Sequence, residues 1–247
     1  MNAEYGDRQD LEVIADRYKN RRPAHVIATK VLTYDMKKIA PLVEGPLVLE
    51  LGYGAGVWTP ELISRFGHSY LVDGSARLLA LARELYGDND LTTFHSLFEE
   101  FVPPEGLLFN TVVATHVLEH VEDPARVLRA ARTWLAANGK ILVIVPNANS
   151  LHRELSVLMG TRKTVYDLNA HDHKIGHRRV YDLAALRRDV TDAGYRIVME
   201  RGLFLKTLPN RMMTEFSDSL LKALVDISDI LPPEWMANLV MLIEPSG

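Results

Sequence analysis

Glu50-Leu51-Gly52-Tyr53-Gly54-Ala55-Gly56 sits between two segments of different character. Before it, residues 46–51 are a short apolar run with the length and composition of a buried strand. After it, Thr59-Pro60 places an N-cap residue and a first-turn proline at the head of a helix that Gly67 closes. The glycines let the chain turn sharply and let a ligand approach the backbone closely. Strand, glycine turn and helix in succession suggest the opening unit of an α/β sheet.

The alternation continues outward. Residues 69–73 read as a second strand, and residues 76–86 as a helix with Leu78, Leu79, Ala82 and Leu85 on one face. Residues 91–94 and 111–115 are further strands. Asp123-Pro124 starts a helix, with Val127, Leu128, Ala131 and Leu135 inward and Gly139 as its stop. Residues 140–145 are a strong strand ended by Pro146. A helix over 182–193, capped by Gly194, precedes strands at 196–201 and 239–244. This order implies a mainly parallel sheet covered by helices on both faces, with ligands at the C-terminal strand ends beside the switch point. Two N-terminal helices, 11–19 and 25–39, come first. Two segments break the pattern: the long polar, histidine-bearing 150–179, and an extra helix at 211–230. Such insertions commonly build a pocket or a lid. The extra helix has Met213, Phe216, Leu220, Leu224 and Ile227 on one side. Core packing is the default for that stripe, with an apolar pocket or a homodimer contact as alternatives.

The chain has 247 residues, 47% hydrophobic and 24% charged, which excludes a disordered protein. Lys and Arg number 28 against 32 Asp and Glu, for a net charge of -4, so no general pull toward nucleic acid is expected. The absence of cysteine excludes disulfides, thiolate zinc sites and a cysteine nucleophile. The N-terminal stretch carries both charge signs and lacks a signal-peptide core, and no run approaches a membrane span. The expectation is a cytoplasmic protein with no membrane partner. No repeat or low-complexity linker divides the chain, so 1–247 reads as one domain.

With Glu50 before the first glycine, the loop reads E-x-G-x-G-x-G. A nicotinamide loop would read G-x-G-x-x-G, and Val57 occupies the place of its third glycine. The pattern resembles motif I of the class I S-adenosylmethionine methyltransferases. The resemblance implies a Rossmann-like, seven-stranded, mainly parallel sheet, with S-adenosylmethionine as cofactor and S-adenosylhomocysteine as product. It implies that Glu50, Gly52, Tyr53, Gly54 and Gly56 hold the methionine part. Asp73, with Gly74 and Ser75, would hold the ribose, and Leu97-Phe98 the adenine. Many relatives carry an acid at position 97, and leucine cannot make that contact. Thr115-His116 would lie beside the reactive methyl. His116-Val-Leu-Glu119-His120 looks like the H/E-V-L-E-H-V segment of small-molecule members, the ubiquinone-pathway-like group among them. Pro146-Asn147 ends the fifth strand as in many relatives. The resemblance covers residues 45–150 well and the rest in outline. It divides the chain into an N-terminal helical cover, 1–44, a core, 45–150, and substrate-side insertions at 150–180 and 205–235.

Methyl transfer from a sulfonium is an in-line displacement with a neutral leaving group. Proximity and alignment are therefore the main catalytic terms, reaching about 7–11 kcal/mol. An oxygen nucleophile also needs a base, and histidine is the natural one near neutral pH. His116 is best placed by motif, with a pocket-shaping role as the alternative. His177 is a second candidate base or substrate donor. His171 and His173 share its polar segment, for which an ordinary solvated loop is the alternative. His120, Asn147 and Tyr18 are further candidate substrate contacts. Tyr18 and Arg21 or Arg22 are placed to meet the cofactor carboxylate if the N-terminal helices close over it. No resident metal is expected. The alternative is a metal-assisted O-methyltransferase: some ubiquinone-pathway enzymes bind a divalent ion through an acidic-V-L-E-H segment, and Glu119 and His120 match it while His116 replaces its first acid. The reading reached is methyl transfer to an O or N atom of a small, biosynthetic or natural-product acceptor. Its rivals are a SAM-binding module without chemistry, a nicotinamide oxidoreductase, which Val57 opposes, and a nucleic-acid methyltransferase, which the charge and the lack of an N-P-P-Y-like segment oppose.

Overall fold

The structure, a computed structural model, describes residues 11–13 and 23–247. Tyr18, Arg21 and Arg22 lie outside the described residues. Seven strands form one sheet: β1 (Val48–Leu51), β2 (Ser69–Asp73), β3 (Leu91–His95), β4 (Phe109–Thr115), β5 (Leu135–Pro146), β6 (Tyr195–Leu203) and β7 (Asn238–Pro245). Their order is β3-β2-β1-β4-β5-β7-β6. The first five pair in parallel, and β7 runs antiparallel between β5 and β6. The switch point falls between β1 and β4, where the chain order reverses.

Helices α1 (Pro23–Ile39), α2 (Trp58–Phe66) and α3 (Ala76–Asp90) cover one face of the sheet, and α4 (Pro124–Arg132) and α7 (Leu183–Asp192) cover the other. Strand parity decides which residue meets which helix. Val48, Val113, Leu142 and Ile144 pack on Met36, Ile39, Trp58 and Leu62. Their neighbours Leu49, Leu51, Val112, Ala114 and Val143 pack on Val127, Leu128, Leu186 and Val190. Both faces of β1 are buried, which is why it reads as an unbroken apolar run apart from Glu50. Each fully buried aliphatic side chain contributes about 1.5–3 kcal/mol.

Three N-caps act as their sequences suggest. The side chains of Ser75, Asp123 and Asp182 accept from the backbone N–H groups of Leu78, Arg126 and Ala185. Thr59 does not cap α2. Val57 precedes that helix, and the Thr59 hydroxyl donates to the Glu50 carboxylate at 2.5 Å. Thr59 lies inside the first turn, past the cap position, and its hydroxyl serves the buried Glu50 carboxylate as a donor. Gly139 does not stop α4, which ends at Arg132 because Leu135 already pairs with Phe109 in the sheet.

The segment 211–230 contains a shorter helix than its pattern suggests, α8 (Asp218–Asp226), started by the Ser217 cap. That start turns Leu221 and Val225 inward, against Ile27 and Val31 of α1, and leaves Leu220 exposed. The buried part of this apolar face is core packing. Two further short helices, α5 (Leu151–Leu158) and α6 (Ala170–Lys174), lie in the polar segment after β5. Among the described residues, no helix is long and apolar enough to cross a membrane.

Candidate active site

A cleft of about 2580 Å³ opens at the C-terminal ends of β1 and β4. The glycine loop forms one wall. Gly52 donates its N–H to the Val72 carbonyl at 2.8 Å, which ties the loop to β2. Gly54 has φ +50, and a Cβ there would meet no atom within 4 Å, so the backbone is open to a ligand. Gly56 has φ +66, and a Cβ there would lie 2.7 Å from the Tyr53 hydroxyl, so this glycine makes room for the tyrosine ring. Tyr53 is buried and fills the space between the loop and α3.

Asp73 ends β2 across from the loop. Its Oδ2 accepts the Tyr53 N–H at 2.8 Å and its Oδ1 the Ser75 N–H at 2.7 Å. Two backbone donors orient the carboxylate and leave lone pairs for a diol. Burial raises its pKa, opposed by those two hydrogen bonds. Glu50 is also buried, and burial pushes it up to about 8 against the hydrogen bond from Thr59. Leu97, Phe98, Gly74 and Ser75 line the same cleft, and Ser75 Oγ donates to Glu12 at 3.1 Å. An open glycine backbone thus faces a carboxylate oriented by two backbone donors across one cleft.

Thr115 and His116 follow at the end of β4. His116 has φ +55, a conformation a non-glycine residue rarely adopts, held by its N–H bond to the Ile144 carbonyl at 2.8 Å. The turn aims the imidazole into the cleft, with Nδ1 3.1 Å from Glu119 Oε1. Burial works to lower the His116 pKa, but the hydrogen bond and charge of Glu119 outweigh it and hold it raised. Glu119 is fully buried. Burial works to raise it, and the histidines around it, His116 foremost, hold it below its ordinary value.

His177 arrives from the polar segment. Its Nε2 stands 4.0 Å from Glu119 Oε1, and its ring packs edge-on against His120 at 4.7 Å between centroids. Neighbouring arginines fix that approach. Arg178 donates its N–H to the Glu119 carbonyl at 2.8 Å, and Arg179 donates to the carbonyls of Leu118 and Glu122 at 2.9 and 2.8 Å. Burial pushes His177 down to about 4, so it stays neutral at physiological pH. His120 is lowered as well, mainly by burial. His171 and His173 sit on α6 at the exposed rim of the cleft.

Asn147 has a different job from the substrate contact expected of it. Its amide donates to the carbonyls of Glu234 and Met236, each at 2.8 Å, and its Oδ1 accepts the Asn149 N–H at 3.0 Å. It lies outside the cleft lining and pins the 233–236 segment to the end of β5.

Sequence reasoning missed Asp35. It is a buried carboxylate on α1 that lines the cleft, and its charge acts on His116. Its Oδ2 accepts from Asn238 Nδ2 at 3.0 Å, while among the described residues Oδ1 is buried without a hydrogen-bond partner. The signal was its place four residues after Val31 and four before Ile39, on the buried face of the helix. Burial pushes Asp35 from 3.8 up to about 7. The folded state therefore binds more protons than the unfolded one between these values. Its contribution to stability is full below about pH 4 and is lost as pH rises through about 7. Asp35→Asn removes this dependence and keeps an oxygen for Asn238. Between about pH 5 and pH 8, wild type should lose on the order of 3 kcal/mol more stability than the variant, measured by urea unfolding at each pH. Parallel losses in the two proteins would show that Asp35 is charged throughout.

Residues 20–200 match the family model described as a methyltransferase domain. A ubiquinone biosynthesis O-methyltransferase of Aeromonas salmonicida is 28% identical over 176 residues, covering 66% of this chain and 71% of the relative. Another, from Xylella fastidiosa, is 26% identical over 147 residues, and the match spans 56% of its length. Among solved structures, the CcbJ methyltransferase from Streptomyces caelestis has a TM-score of 0.62 at 16% identity, covering 96% of this chain and 98% of its own. The magnesium protoporphyrin IX methyltransferase of Synechocystis PCC 6803, solved with bound SAH, has a TM-score of 0.58 at 16% identity, covering 99% and 96%. These two likenesses speak for the fold, and the family match speaks for the cofactor. With the glycine loop, Asp73 and the seven-stranded sheet in place, the chain belongs to the methyltransferase-domain family and is a class I enzyme that uses S-adenosylmethionine.

Proposed function

We propose that the enzyme methylates an oxygen or nitrogen atom of a small biosynthetic acceptor, with His116 as the base and Glu119 as its positioning partner. S-adenosylmethionine supplies an electrophilic methyl group on a neutral leaving group. Glu50, the loop of Gly52, Gly54 and Gly56, and Asp73 would hold it. Leu97, Phe98 and Thr115, which line the same cleft, would border its adenine and methyl ends. The observation that carries the reading is the 3.1 Å contact of His116 Nδ1 with Glu119 Oε1, in the same cleft as Asp73 and the glycine loop. With Nδ1–H donating to the carboxylate, Nε2 keeps the lone pair that takes the proton of an acceptor hydroxyl or ammonium. The acceptor atom then bonds to the methyl carbon as the C–S bond breaks. His177 and His120, whose protonated forms burial disfavours, present hydrogen-bonding groups to the acceptor. In this reading residues 1–44, 150–180 and 205–235 cover the 45–150 core within one domain, and the reaction runs in the cytoplasm.

A second reading is favoured by one observation. Glu119, His120 and His177 bring three ligand atoms within 4.8 Å of one another, and among the described residues Glu119 Oε2 is buried without a hydrogen-bond partner. One carboxylate and two imidazoles fit a divalent transition ion better than magnesium. Such an ion would lower the pKa of an acceptor hydroxyl. One experiment separates the readings: transfer of labelled methyl to a panel of catechols, phenols and amines, with and without a chelator. Turnover that survives chelation supports the histidine base. Turnover lost to chelation and restored by one divalent ion supports the metal. No transfer to any acceptor counts against both.

A further inference from the structure

The acceptor side of the cleft carries more positive charge than the carboxylates beside it match. Arg153, on α5, is buried. Its guanidinium donates to the carbonyls of Val165 and Asp167 at 2.8 and 3.1 Å and pairs with Asp172 Oδ2 at 3.5 Å. Arg162 stands 3.7 Å from the same oxygen. Asp172 thus answers two guanidinium groups and also caps α6 through the Asn169 N–H at 2.9 Å. The Asp167 carboxylate, outside the cleft lining like Arg162, also acts on Arg153 and is engaged by the Thr164 hydroxyl and the Lys163 N–H, each at 2.8 Å, so two carboxylates, Asp172 and Asp167, answer the two arginines.

Lys206, just beyond β6, adds a third cation. It lines the cleft with Arg153 and Asp172. Among the described residues its ammonium makes no hydrogen bond or ion pair, and Asp172 is the carboxylate that acts on it. Burial and the two arginines push it down to about 8, a cation short of an anion. His152 beside it feels Lys206, Arg153 and Arg162, and burial with these charges pushes it down to about 2, so it contributes no charge. Holding ammonium and guanidinium groups out of water without a matching anion costs free energy. A surplus of that kind facing an open cleft, with one cation from each of the two insertions, is what an anionic ligand would match.

We propose that the methyl acceptor carries an oxyanion, a carboxylate or a phosphate, bound by Lys206 with Arg153 behind it. The inference rests on the methyltransferase reading and adds the chemical class of the acceptor. Lys206 fixes the acceptor by its charged group, and the nucleophilic atom lies elsewhere on the molecule, toward His116. Neutral analogues of the acceptor would lose affinity through the same contact.

Calorimetry on the protein saturated with S-adenosylhomocysteine tests this with two matched pairs, benzoate against benzamide and phenyl phosphate against phenol. At least one anion should bind about tenfold more tightly than its neutral partner, the value of one charge-assisted hydrogen bond. The pair with the larger ratio tells carboxylate from phosphate. Lys206→Met should erase the difference and leave the affinity for S-adenosylhomocysteine unchanged. Neutral partners that bind as well as both anions would overturn the proposal. So would an anion preference that persists in Lys206→Met. Failure of S-adenosylhomocysteine to bind would strike the cofactor reading instead, and the same pairs titrated into the unliganded protein would still decide the anion question.

Discussion

His116→Asn is expected to lower kcat by about 10²–10⁴-fold with an oxygen acceptor and to leave the affinity for S-adenosylhomocysteine within a few-fold of wild type. Asparagine is chosen because position 116 has φ +55, a conformation that asparagine adopts more readily than alanine. The backbone turn and its N–H bond to Ile144 therefore survive, and the lost group is the imidazole. Glu119→Gln keeps the shape of the buried side chain and removes the charge that holds His116 in orientation at 3.1 Å. It should reduce kcat less, by about tenfold, because His116 remains present but less firmly oriented. A His116→Asn variant that raises KM for S-adenosylmethionine and leaves kcat intact would assign the histidine to shaping the cofactor pocket. Single-turnover rates with one acceptor separate the two cases.

The second large effect concerns Asp73. Asp73→Ala should weaken S-adenosylhomocysteine binding by about a hundredfold or more. Two charge-assisted hydrogen bonds to a ribose diol account for about 3 kcal/mol, which is that factor. The substitution also strips the Tyr53 and Ser75 N–H groups of their acceptor, so the loop loses its anchor as well. Asp73→Asn separates these contributions, since its single oxygen serves one N–H and one hydroxyl. It should fall between wild type and the alanine variant. Equal affinities in all three proteins would place the ribose elsewhere. Thermal unfolding run alongside shows that each variant is folded before its affinity is compared.

Much of the fold is legible because local chemistry agrees with global topology. The apolar run before Gly52 is buried on both faces, and the caps at Ser75, Asp123 and Asp182 act through their own side chains. What could not be read depends on contacts distant in sequence. Nothing local places β7 between β5 and β6, a pairing that joins residues about a hundred positions apart. Leu221 rather than Leu220 faces inward because Ser217 sets the helix start, a register that a stripe of leucines leaves open.

The site divides in the same way. The glycine loop and Asp73 could be recognised because one strand end presents each of them. His177 meets Glu119 only through the arginine clamp at 178 and 179, and it could be suspected only from a cluster of polar residues. Asp35, Arg153 and Lys206 were overlooked because single charged residues in helices and loops ordinarily face water. Their significance comes from burial and from shared walls of one cleft. Asn147 illustrates the reverse error: a polar residue at a strand end whose hydrogen-bonding capacity is used by the fold itself.

The most direct test of the account is a calorimetric titration of the purified protein with S-adenosylhomocysteine, with NADH run in parallel. One binding site per chain is expected for the first ligand and no heat from the second. Binding of NADH without S-adenosylhomocysteine would contradict the assignment of the glycine loop and Asp73, and with it the chemistry built on His116.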